Sequence, residues 1–592
     1  MCTFAPLFMD LTMLSTTIQK RWWNTRFLLL FGLSVVNLLF MHGQMAMTVE
    51  YEYPFKVDAI LSNVFSCLID ATFFFLLSML LTWGRVKGAL LLTFVLTALL
   101  SFCNVLYSRF FGHYLPNLAF LQVGNLYDND VMGSALTGFR WQDLFYILWV
   151  VLFGWLYKRY NKVELKTQWL KTMGWLWGAM VAVVGSFMLL MGFGHDTSWD
   201  ITWHRFFPFR EQYNMAPNEK LFRSGFVRRA VVCHEDFCQK TLVLSDEQVK
   251  DIESVYTDMS ERVTTPTVVK GKNLIFIIVE SYLSATSDLK VDGKEITPFL
   301  NSLKCDSTVY YNGHVASNIN MGESSDGQFI YMTGLLPLRS EITVNVVKGK
   351  TVRGLPKMLM EQHAVDTSHI VVPTSPTFWE QDAMNDLYGF GKMYSKFDCP
   401  KALHGSEDLN DEQIFEMAQR VDTQAKKPFF SMIVSMSMHS PYDKCVEHGF
   451  TLSDPSLTPE YRNYLTDCHY FDQQLAKYIN ALKRCGVYDR SVIVIAADHH
   501  AHPSMFDMKE GDISQELPLY IINGGIYMSK AWTGPCNQLD VYTTLLDMFG
   551  VNARWHGLGH TLLKSDYTSS VSDNAQRLSD WIIRGNYFKD CK

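Results

Sequence analysis

The sequence contains little charge. Lysine, arginine, aspartate and glutamate make up 19% of the 592 residues, against about a quarter in an average soluble domain. No long run of like charge is present, so nothing in the sequence indicates a charged disordered tail. Internal repeats and low-complexity tracts are also lacking. The net charge of −7 gives no reason to expect nucleic acid as a partner.

Long apolar runs account for the shortage of charge, and they lie in the first 195 residues. At 592 residues the chain is too long for one hydrophobic core, so at least two structural units are expected. Crossing a hydrocarbon layer of roughly 30 Å takes about 20 helical residues. Four of the five runs are that long, and the shorter fourth spans only if its aromatic and basic ends lie in the interfaces. The five runs are Phe27–Val49, Ile60–Trp83, Ala89–Tyr107, Leu144–Tyr157 and Met173–Gly194.

The distribution of lysine and arginine predicts the orientation. With a cytoplasmic N-terminus, ten of these residues fall in inside segments and three, Lys56, Arg109 and Arg140, in outside loops. We therefore expect five transmembrane helices in residues 1–195, an interfacial connector in 196–271 and an extracytoplasmic domain in 272–592, all held on the cytoplasmic (inner) membrane. A soluble protein with a cleaved signal peptide would leave four apolar runs unexplained.

Two features of these segments have more than one interpretation. Asp70, inside the second run, either lines a polar pocket or faces the bundle interior and bonds to Ser or Asn neighbours, and the second interpretation is favoured. Nine of the 12 cysteines fall in the external part, where an oxidising compartment permits disulfides. Their connectivity cannot be deduced from sequence, although Cys233 and Cys238 could close a small ring.

From Asn273 onward, short β-branched runs alternate with helical segments. This alternation predicts an α/β domain with a largely parallel sheet. The helical spacing is clearest over Tyr461–Arg484 and Leu539–Phe549. The predicted buried strands are Asn273–Val279, His369–Val372, Phe429–Ser435, Ser491–Ala496 and Leu517–Ile522.

Polar residues follow three of these predicted strands. Glu280 comes directly after the first, His439 shortly after the third, and Asp498 and His499 directly after the fourth. Because open α/β sheets bind ligands beyond the carboxyl ends of their strands, we expect these side chains to converge in one crevice. Taken singly, each is as easily a helix cap or a structural histidine. Together they suit a divalent ion such as Mn²⁺, Mg²⁺ or Zn²⁺.

A candidate nucleophile lies in the loop Met321-Gly322-Glu323-Ser324-Ser325-Asp326, which presents hydroxyls just before a helical run. A hydroxyl bound to a divalent metal has a lowered pKa and can attack phosphorus, while the metal neutralises the phosphoryl oxygens. His500 and His502 could supply a second metal site, but without a further acidic ligand set beside them a single metal is expected.

These motifs resemble the lipoteichoic acid synthase branch of the alkaline phosphatase and sulfatase superfamily. The resemblance covers nearly the whole chain, including five N-terminal spans, the connector and the external domain. It is carried by Val279-Glu280-Ser281, the stretch Val291–Leu300 (VDGKEITPFL), Phe378-Trp379, Gly486–Asp489 (GVYD) and Asp498-His499. Such a co-linear set is far more specific than any one motif.

The resemblance implies the following roles. Glu280, Ser324, Asp498 and His499 match the metal ligands of a single-ion site, with Mn²⁺ expected and Mg²⁺ or Zn²⁺ as alternatives. Ser324 also matches the nucleophile, which in the family is usually Thr preceded by Lys. His439 matches a histidine that meets the substrate, and Trp379 matches an aromatic residue beside the phosphoglycerol head group. Gln381 stands where synthases have an Arg, so a different head group or a different binding mode is an expectation for this chain.

The function implied is metal-dependent transfer of a phosphoglycerol-type head group from a membrane phospholipid to a glycan or lipid acceptor, through a covalent intermediate on Ser324. A phosphoethanolamine transferase is the nearest alternative, because that family shares the five-span plan and the fold. A non-catalytic membrane sensor with a degenerate domain and a transporter built from the spans are two further alternatives. Sulfate ester hydrolysis is disfavoured, because the Ser324 loop lacks the C/S-x-P-x-R pattern.

Overall fold

A computed structural model describes most of the chain as two compact units. It describes residues 25–47, 57–116, 139–159, 225–227, 241–256, 271–339, 341–399, 408–440, 449–501, 511–526, 531–567 and 573–589, with the isolated residues 118, 119, 121, 122, 124, 269, 442, 506, 508 and 571. The first unit comprises Met1–Leu115 and Gly138–His234, and the second Pro116–Thr137 and Glu235–Lys592. The domain boundaries expected near residues 195 and 272 stay predictions.

Four helices form the described part of the first unit: α1 Thr25–Met45, α2 Val57–Leu81, α3 Val86–Phe111 and α4 Leu144–Lys158. Three stretches within them, Phe27–Met45, Asn63–Leu81 and Val86–Arg109, are long and apolar enough to cross a membrane. The first three predicted spans are thereby confirmed as candidate spanning helices. The fourth run forms a helix of only 15 residues, and the fifth, Met173–Gly194, lies outside the described residues.

Two carboxylates inside the first unit have specific partners. Asp143, just before α4, forms a buried bidentate ion pair with Arg109 in the last turn of α3, at 2.7 and 2.8 Å. Asp70 accepts the backbone N–H groups of Phe226 at 2.8 Å and Val227 at 2.9 Å. A Cβ on Gly225, whose φ is +69°, would lie 2.4 Å from an Asp70 oxygen. Asp70 is thus buried inside the unit, in line with the favoured interpretation, and backbone amides are among its partners.

The second unit is an α/β domain whose elements alternate along the chain. The strands are β1 Asn273–Val279, β2 Lys290–Val291, β3 Lys294–Glu295, β4 Val309–Ala316, β5 Thr367–Val371, β6 Lys392–Tyr394, β7 Phe429–Val434, β8 Ser491–Ala497, β9 Leu517–Ile522 and β10 Cys536–Asn537. The helices are α5 Asp246–Tyr256, α6 Pro298–Leu303, α7 Ser324–Thr333, α8 Thr343–Val347, α9 Leu355–Glu361, α10 Gln381–Tyr388, α11 Asp411–Asp422, α12 Pro459–Arg484, α13 Leu539–Met548 and α14 Asp573–Gly585.

Eight strands form one sheet in the order β10-β4-β9-β8-β1-β7-β5-β6. Among these, β9 alone runs against the others, so the sheet is mostly parallel, as predicted. Every residue of β1 is buried, as expected for a central parallel strand covered on both faces. The strands that precede the predicted site residues, β8, β1 and β7, are immediate neighbours. Their carboxyl ends therefore open at one place.

The five predicted strands were located closely, and the remaining strands were missed. The runs that became β1 and β9 match residue for residue, and the others differ by one or two residues at one end or, for β5, at both ends. Of the missed strands, β2, β3, β6 and β10 are only two or three residues long. Strand β4 was not predicted because it contains Asn312 and Gly313, residues that are uncommon in strands. Its pairing with β9 is also irregular between Asn312 and Val315.

The described cysteines form no disulfide with one another. They are Cys67, Cys103, Cys305, Cys399, Cys468, Cys485 and Cys536. The ring proposed between Cys233 and Cys238 lies outside the described residues and stays a prediction.

Candidate active site

Four predicted site residues meet where β1 and β8 end. Glu280 follows the last residue of β1, and Asp498 and His499 follow the last residue of β8. Ser324 arrives from the other direction, as the first residue of α7. Its Oγ lies 3.0 Å from Glu280 Oε2 and 3.2 Å from His499 Nε2. The structure therefore brings together all four residues that resemblance implies as ligands.

The acidic and imidazole groups are close enough to share one ion. His499 Nε2 lies 3.4 Å from Glu280 Oε1 and 3.8 Å from Asp498 Oδ2. One ligand atom from each of the three residues falls within 4.8 Å of the others, and all three residues are buried. Asp498 Oδ1 accepts the backbone N–H groups of Ser281 and His499, each at 2.8 Å. Asp498 Oδ2 is buried without a hydrogen-bond partner among the described residues.

This donor set fits a divalent cation. Two carboxylates and an imidazole are ligands that Mn²⁺, Mg²⁺ and Zn²⁺ accept in proteins. A buried carboxylate oxygen without a partner costs free energy, which a bound cation would offset. Among the described residues this is the one such group of three or more ligating side chains. His500 does not belong to it, and His502 lies outside the described residues.

The orientation of the His499 ring suits a ligand. Its Nδ1 lies 2.6 Å from the backbone carbonyl oxygen of His500. Because a carbonyl oxygen only accepts, Nδ1 carries the hydrogen in this contact. In the neutral ring Nε2 then offers its lone pair toward Glu280, Asp498 and Ser324. A hydrogen bond of this kind fixes the tautomer of metal-binding histidines.

The charges of the cluster perturb one another strongly. Burial raises the pKa of Asp498, and the negative charge of Glu280 adds to this, bringing it to about 8. Burial would lower the pKa of His499, but the charges of Asp498, Glu280 and Glu323 outweigh it and hold that pKa well above its ordinary value. Burial would likewise raise the pKa of Glu280, yet hydrogen bonding and charge attraction from His499 lower it. The cluster thus contains more carboxylates than basic groups, and this excess of negative charge favours the binding of a cation.

The loop before α7 is held in an uncommon backbone conformation. Glu323 has a φ of +45° and a ψ of −124°, a region that non-glycine residues seldom occupy. Asp326 restrains the loop, because its Oδ2 accepts the N–H groups of Asn320 at 3.0 Å and Gly322 at 2.8 Å. Backbone strain of this kind is common at functional sites. Here it places Ser324 at the start of a helix, with its hydroxyl toward Glu280.

Close packing holds α7 against the end of β8. A Cβ on Gly327 would lie 2.2 Å from the backbone oxygen of Asp498, so only glycine fits without displacement. That same oxygen accepts a hydrogen bond from Gln538 Nε2 at 2.6 Å. The Tyr331 hydroxyl donates to the carbonyl of Ala497 at 2.7 Å. Helix α7, which begins at Ser324, and the end of β8 are therefore closely packed.

His439 lies in the same region, after β7. It is partly exposed, and its Nδ1 lies 2.7 Å from the carbonyl oxygen of Ser440, so Nδ1 is the donor there. Its positive charge, when present, is one of the influences that lower the pKa of Glu280. The ring therefore approaches the cluster without belonging to the group that could bind a metal.

Trp379 lies in the short turn Phe378–Glu380, and Gln381 is the first residue of α10, which follows it. Trp379 and Glu380 both have positive φ, +49° and +55°, so this turn is strained. Gln381 is buried, and its Nε2 donates to Gln328 Oε1 at 3.1 Å. Gln328 is one helical turn after Ser324 on α7. The described residues provide no partner for Gln381 Oε1.

Glu323 was not among the predicted site residues. Its side chain is buried, and its Oε2 lies 3.7 Å from His499 Nδ1, on the side opposite to the cluster-facing Nε2. The sequence shows that Glu323 is next to Ser324. Its contact with His499, however, depends on the positive φ of Glu323, which nothing in the sequence indicated. Gly327 and Gln538 were missed for a similar reason, because their contacts are with the chain near residue 498.

Comparison with known proteins agrees with this architecture. Residues 272–551 match the sulfatase family, and residues 11–200 match the lipoteichoic acid synthase N-terminal domain. A lipoteichoic acid synthase from Staphylococcus aureus (strain USA300) is 27% identical over 528 residues, covering 84% of this chain and 77% of that protein.

Solved structures with a similar fold include two from other bacteria. The lipoteichoic acid synthase from Listeria monocytogenes is 20% identical, with a TM-score of 0.45, over 55% of this chain and 81% of that one. The phosphoglycerol transferase from Streptococcus pyogenes, in complex with sn-glycerol-1-phosphate, is 14% identical, with a TM-score of 0.38, over 57% of this chain and 83% of that one.

The two family matches fall on the two parts of the chain that the sequence distinguishes, in the same order. The sulfatase match spans β1 through α13 and thus includes every residue of the cluster. The chain is a phosphotransferase that belongs to the lipoteichoic acid synthase-like family of the alkaline phosphatase and sulfatase superfamily.

Proposed function

We propose that this protein transfers a phosphoglycerol-type head group from a membrane phospholipid to a glycan or lipid acceptor through a covalent intermediate on Ser324. The observation that carries the proposal is the position of the Ser324 hydroxyl, 3.0 Å from Glu280 and 3.2 Å from His499, at the edge of a candidate metal site. A hydroxyl placed at the start of a helix and against charged groups is the arrangement expected of an activated nucleophile.

In the first step, Ser324 Oγ attacks the phosphorus of the donor, and the bond from phosphorus to the diacylglycerol oxygen breaks. Glu280 Oε2 accepts the hydrogen of the Ser324 hydroxyl, which orients a lone pair toward the substrate. The helix N-terminus at Ser324 favours the negative charge of the phosphoryl group. In the second step the oxygen of an acceptor hydroxyl attacks the phosphorus and the bond from phosphorus to Ser324 Oγ breaks. The proton lost by the acceptor hydroxyl balances the one that Ser324 Oγ regains, and the phosphodiester passes to the acceptor.

Glu280, Asp498, His499 and Ser324 would hold the metal. A divalent ion bound there lowers the pKa of a bound hydroxyl and neutralises phosphoryl oxygens. The chain's own groups prepare the site for this chemistry, because the His500 carbonyl fixes the His499 ring and two backbone amides fix the Asp498 carboxylate. Mn²⁺ is our proposed ion, with Mg²⁺ and Zn²⁺ as alternatives.

His439 is the proposed acid for the leaving oxygen. Its Nδ1 donates to the Ser440 carbonyl, which leaves Nε2 as the atom that gives or takes a proton. Trp379 and Gln381 are the proposed head-group contacts. Gln381 Oε1, buried and without a partner among the described residues, is an acceptor that suits a hydroxyl donor of the head group.

The anchor places this chemistry beside its lipid donor. We propose that the chain is a multi-pass protein of the cytoplasmic membrane with five spans, and that its catalytic domain lies on the outer side. A tether of this kind keeps the enzyme at a high effective concentration of donor. The charge distribution of the loops supports this orientation.

Offering the purified protein two donors separately tests the head group. With Mn²⁺ present, we expect phosphatidylglycerol to release diacylglycerol at least about tenfold faster than phosphatidylethanolamine, because neutral amide groups suit hydroxyls better than an ammonium group, which seeks a carboxylate when buried. Diacylglycerol is measured by radiolabel or mass spectrometry. Equal or faster release from phosphatidylethanolamine would favour the phosphoethanolamine transferase alternative.

A further inference from the structure

A segment that precedes α4 in the sequence belongs to the second unit. The inter-helix segment, meaning residues 118, 119, 121 and 122, follows α3 along the chain. Leu118 is 1% exposed and lies in the main hydrophobic core of the second unit. A residue of this kind is part of the fold on which it packs rather than a surface loop.

The backbone N–H and carbonyl groups of Leu118 both form hydrogen bonds with side chains of the second unit. Its N–H donates to the Glu341 carboxylate, at 2.8 and 3.2 Å. Its carbonyl accepts from Asn345 Nδ2 at 3.4 Å, and Gln122 Nε2 donates to Asn345 Oδ1 at 2.6 Å. Glu341 is fully buried and Asn345 nearly so. Hydrogen bonds to a buried carboxylate are among the stronger ones in proteins.

Helix α8 also contacts the segment that holds the nucleophile loop, meaning the loop before α7 that presents Ser324. Thr343, the first residue of α8, lies between Glu341 and Asn345 in sequence, and its Oγ1 accepts the Leu338 N–H at 3.0 Å. The neighbouring Pro337 carbonyl accepts from Asn320 Nδ2 at 2.8 Å. Both of these links are hydrogen bonds between buried or partly buried groups.

Asn320 is at the base of the loop that presents Ser324. Its backbone N–H and that of Gly322 both donate to Asp326 Oδ2. Glu323 then adopts its positive φ, and Ser324 follows. A continuous series of contacts thus runs from Leu118 through α8 and residues 337–338 to the nucleophile. The contacts to Glu280, Asp498 and His499 come from β1 and β8 and do not pass through this series.

We propose that the inter-helix segment is a positioning element for Ser324, and that seating Leu118 on Glu341 and Asn345 keeps the nucleophile loop in its strained conformation. This inference rests on the proposed function, because it assumes that Ser324 attacks the donor. It predicts that unseating the segment lowers the rate of the chemical step while leaving metal binding to the strand-end residues intact. Small misplacements of reacting groups can cost about 100-fold in rate.

The test compares Leu118→Pro with Leu118→Ala in the full-length protein. Proline removes the N–H that Glu341 accepts, whereas alanine keeps it and removes only apolar contact. Kinetics with bis(4-nitrophenyl) phosphate report phosphodiester chemistry without a head group, and isothermal titration reports Mn²⁺ affinity. We expect Leu118→Pro to lower kcat at least about tenfold with KM and Mn²⁺ affinity changed less than about twofold, and Leu118→Ala to lower kcat less than about threefold.

Thr343→Val provides a second variant in case Leu118→Pro does not fold. It is nearly isosteric, removes the acceptor of the Leu338 N–H, and is expected to give the same split between kcat and Mn²⁺ affinity. A wild-type kcat in both Leu118→Pro and Thr343→Val, or a parallel loss of kcat and Mn²⁺ affinity, would overturn the positioning role. Measuring Ser324→Ala in the same assay distinguishes failure of the positioning role from failure of the proposed function, because full activity of that variant contradicts the proposed function itself.

Discussion

Replacing Ser324 with alanine is expected to reduce diacylglycerol release from phosphatidylglycerol by at least about 10³-fold, since removing the nucleophile of a covalent mechanism costs on this order or more. The substitution removes one oxygen at the start of α7 and no core contact, so the fold should persist. Thermal unfolding and circular dichroism check that it does, and Mn²⁺ content is expected to fall only modestly, because Glu280, Asp498 and His499 remain.

Ser302→Ala is the matched control. Ser302 is an exposed serine in α6 whose hydroxyl bonds only to the Phe299 carbonyl among the described contacts, so its loss should leave activity within about twofold of wild type. Retention of more than about a tenth of wild-type activity in Ser324→Ala would rule out Ser324 as the attacking group.

Asp498→Asn is expected to weaken Mn²⁺ binding by more than about 100-fold, beyond the range seen when a residue behind a ligand is changed. The reason is that this carboxylate is buried, its Oδ1 is already held by two backbone amides, and its Oδ2 is the atom left for a cation. Activity should fall with metal content, and excess Mn²⁺ should recover part of it.

Metal analysis after purification and titration with Mn²⁺ measure the effect. Asp366→Asn, at an exposed carboxylate at the edge of β5, serves as the control and should bind Mn²⁺ like the wild type. Treatment with a chelator should inactivate the wild-type protein, and added Mn²⁺ should restore its activity. Full activity of Asp498→Asn with no change in Mn²⁺ affinity would contradict the candidate metal site.

The candidate site could be predicted because it obeys two general rules. Buried parallel strands read as continuous apolar runs, and polar residues at their carboxyl ends converge. Glu280, Asp498 and His499 follow β1 and β8 directly, so sequence position alone predicted that they would meet. The hydroxyl-bearing loop of residues 321–326 indicated Ser324 as a candidate nucleophile, and the family resemblance assigned it the same role. Its contact with Glu280 could not have been indicated by any periodicity.

Contacts between distant segments could not be predicted from one sequence. Nothing in the sequence connects Gln381 with Gln328, Gly327 with the Asp498 carbonyl, or Leu118 with Glu341, because each depends on how helices pack on the sheet. Positive φ at Glu323 and Trp379 is also invisible, since neither residue type signals it. Strand β4 was missed because its composition resembles a turn while its pairing with β9 determines its structure.

In the apolar segments, too, local features could be predicted from the sequence and tertiary contacts could not. Length and composition correctly indicated three helices capable of spanning a membrane, because these are local properties. The partners of Asp70 and Arg109 depended on tertiary contacts. Arg109 was counted as a residue of an outside loop, but it ends α3 and pairs with Asp143 in the interior of the unit.

Trapping the covalent intermediate is the most direct test of Ser324 as the group that attacks the donor. The wild-type protein is incubated with phosphatidylglycerol and Mn²⁺ without acceptor, quenched in acid, digested, and analysed by peptide mass spectrometry. We expect the peptide containing Ser324 to gain the mass of one glycerophosphoryl group, with Ser324 as the modified residue, and the Ser324→Ala variant to gain none. A glycerophosphoryl group on any other residue, or diacylglycerol release without an adduct on Ser324, would contradict it.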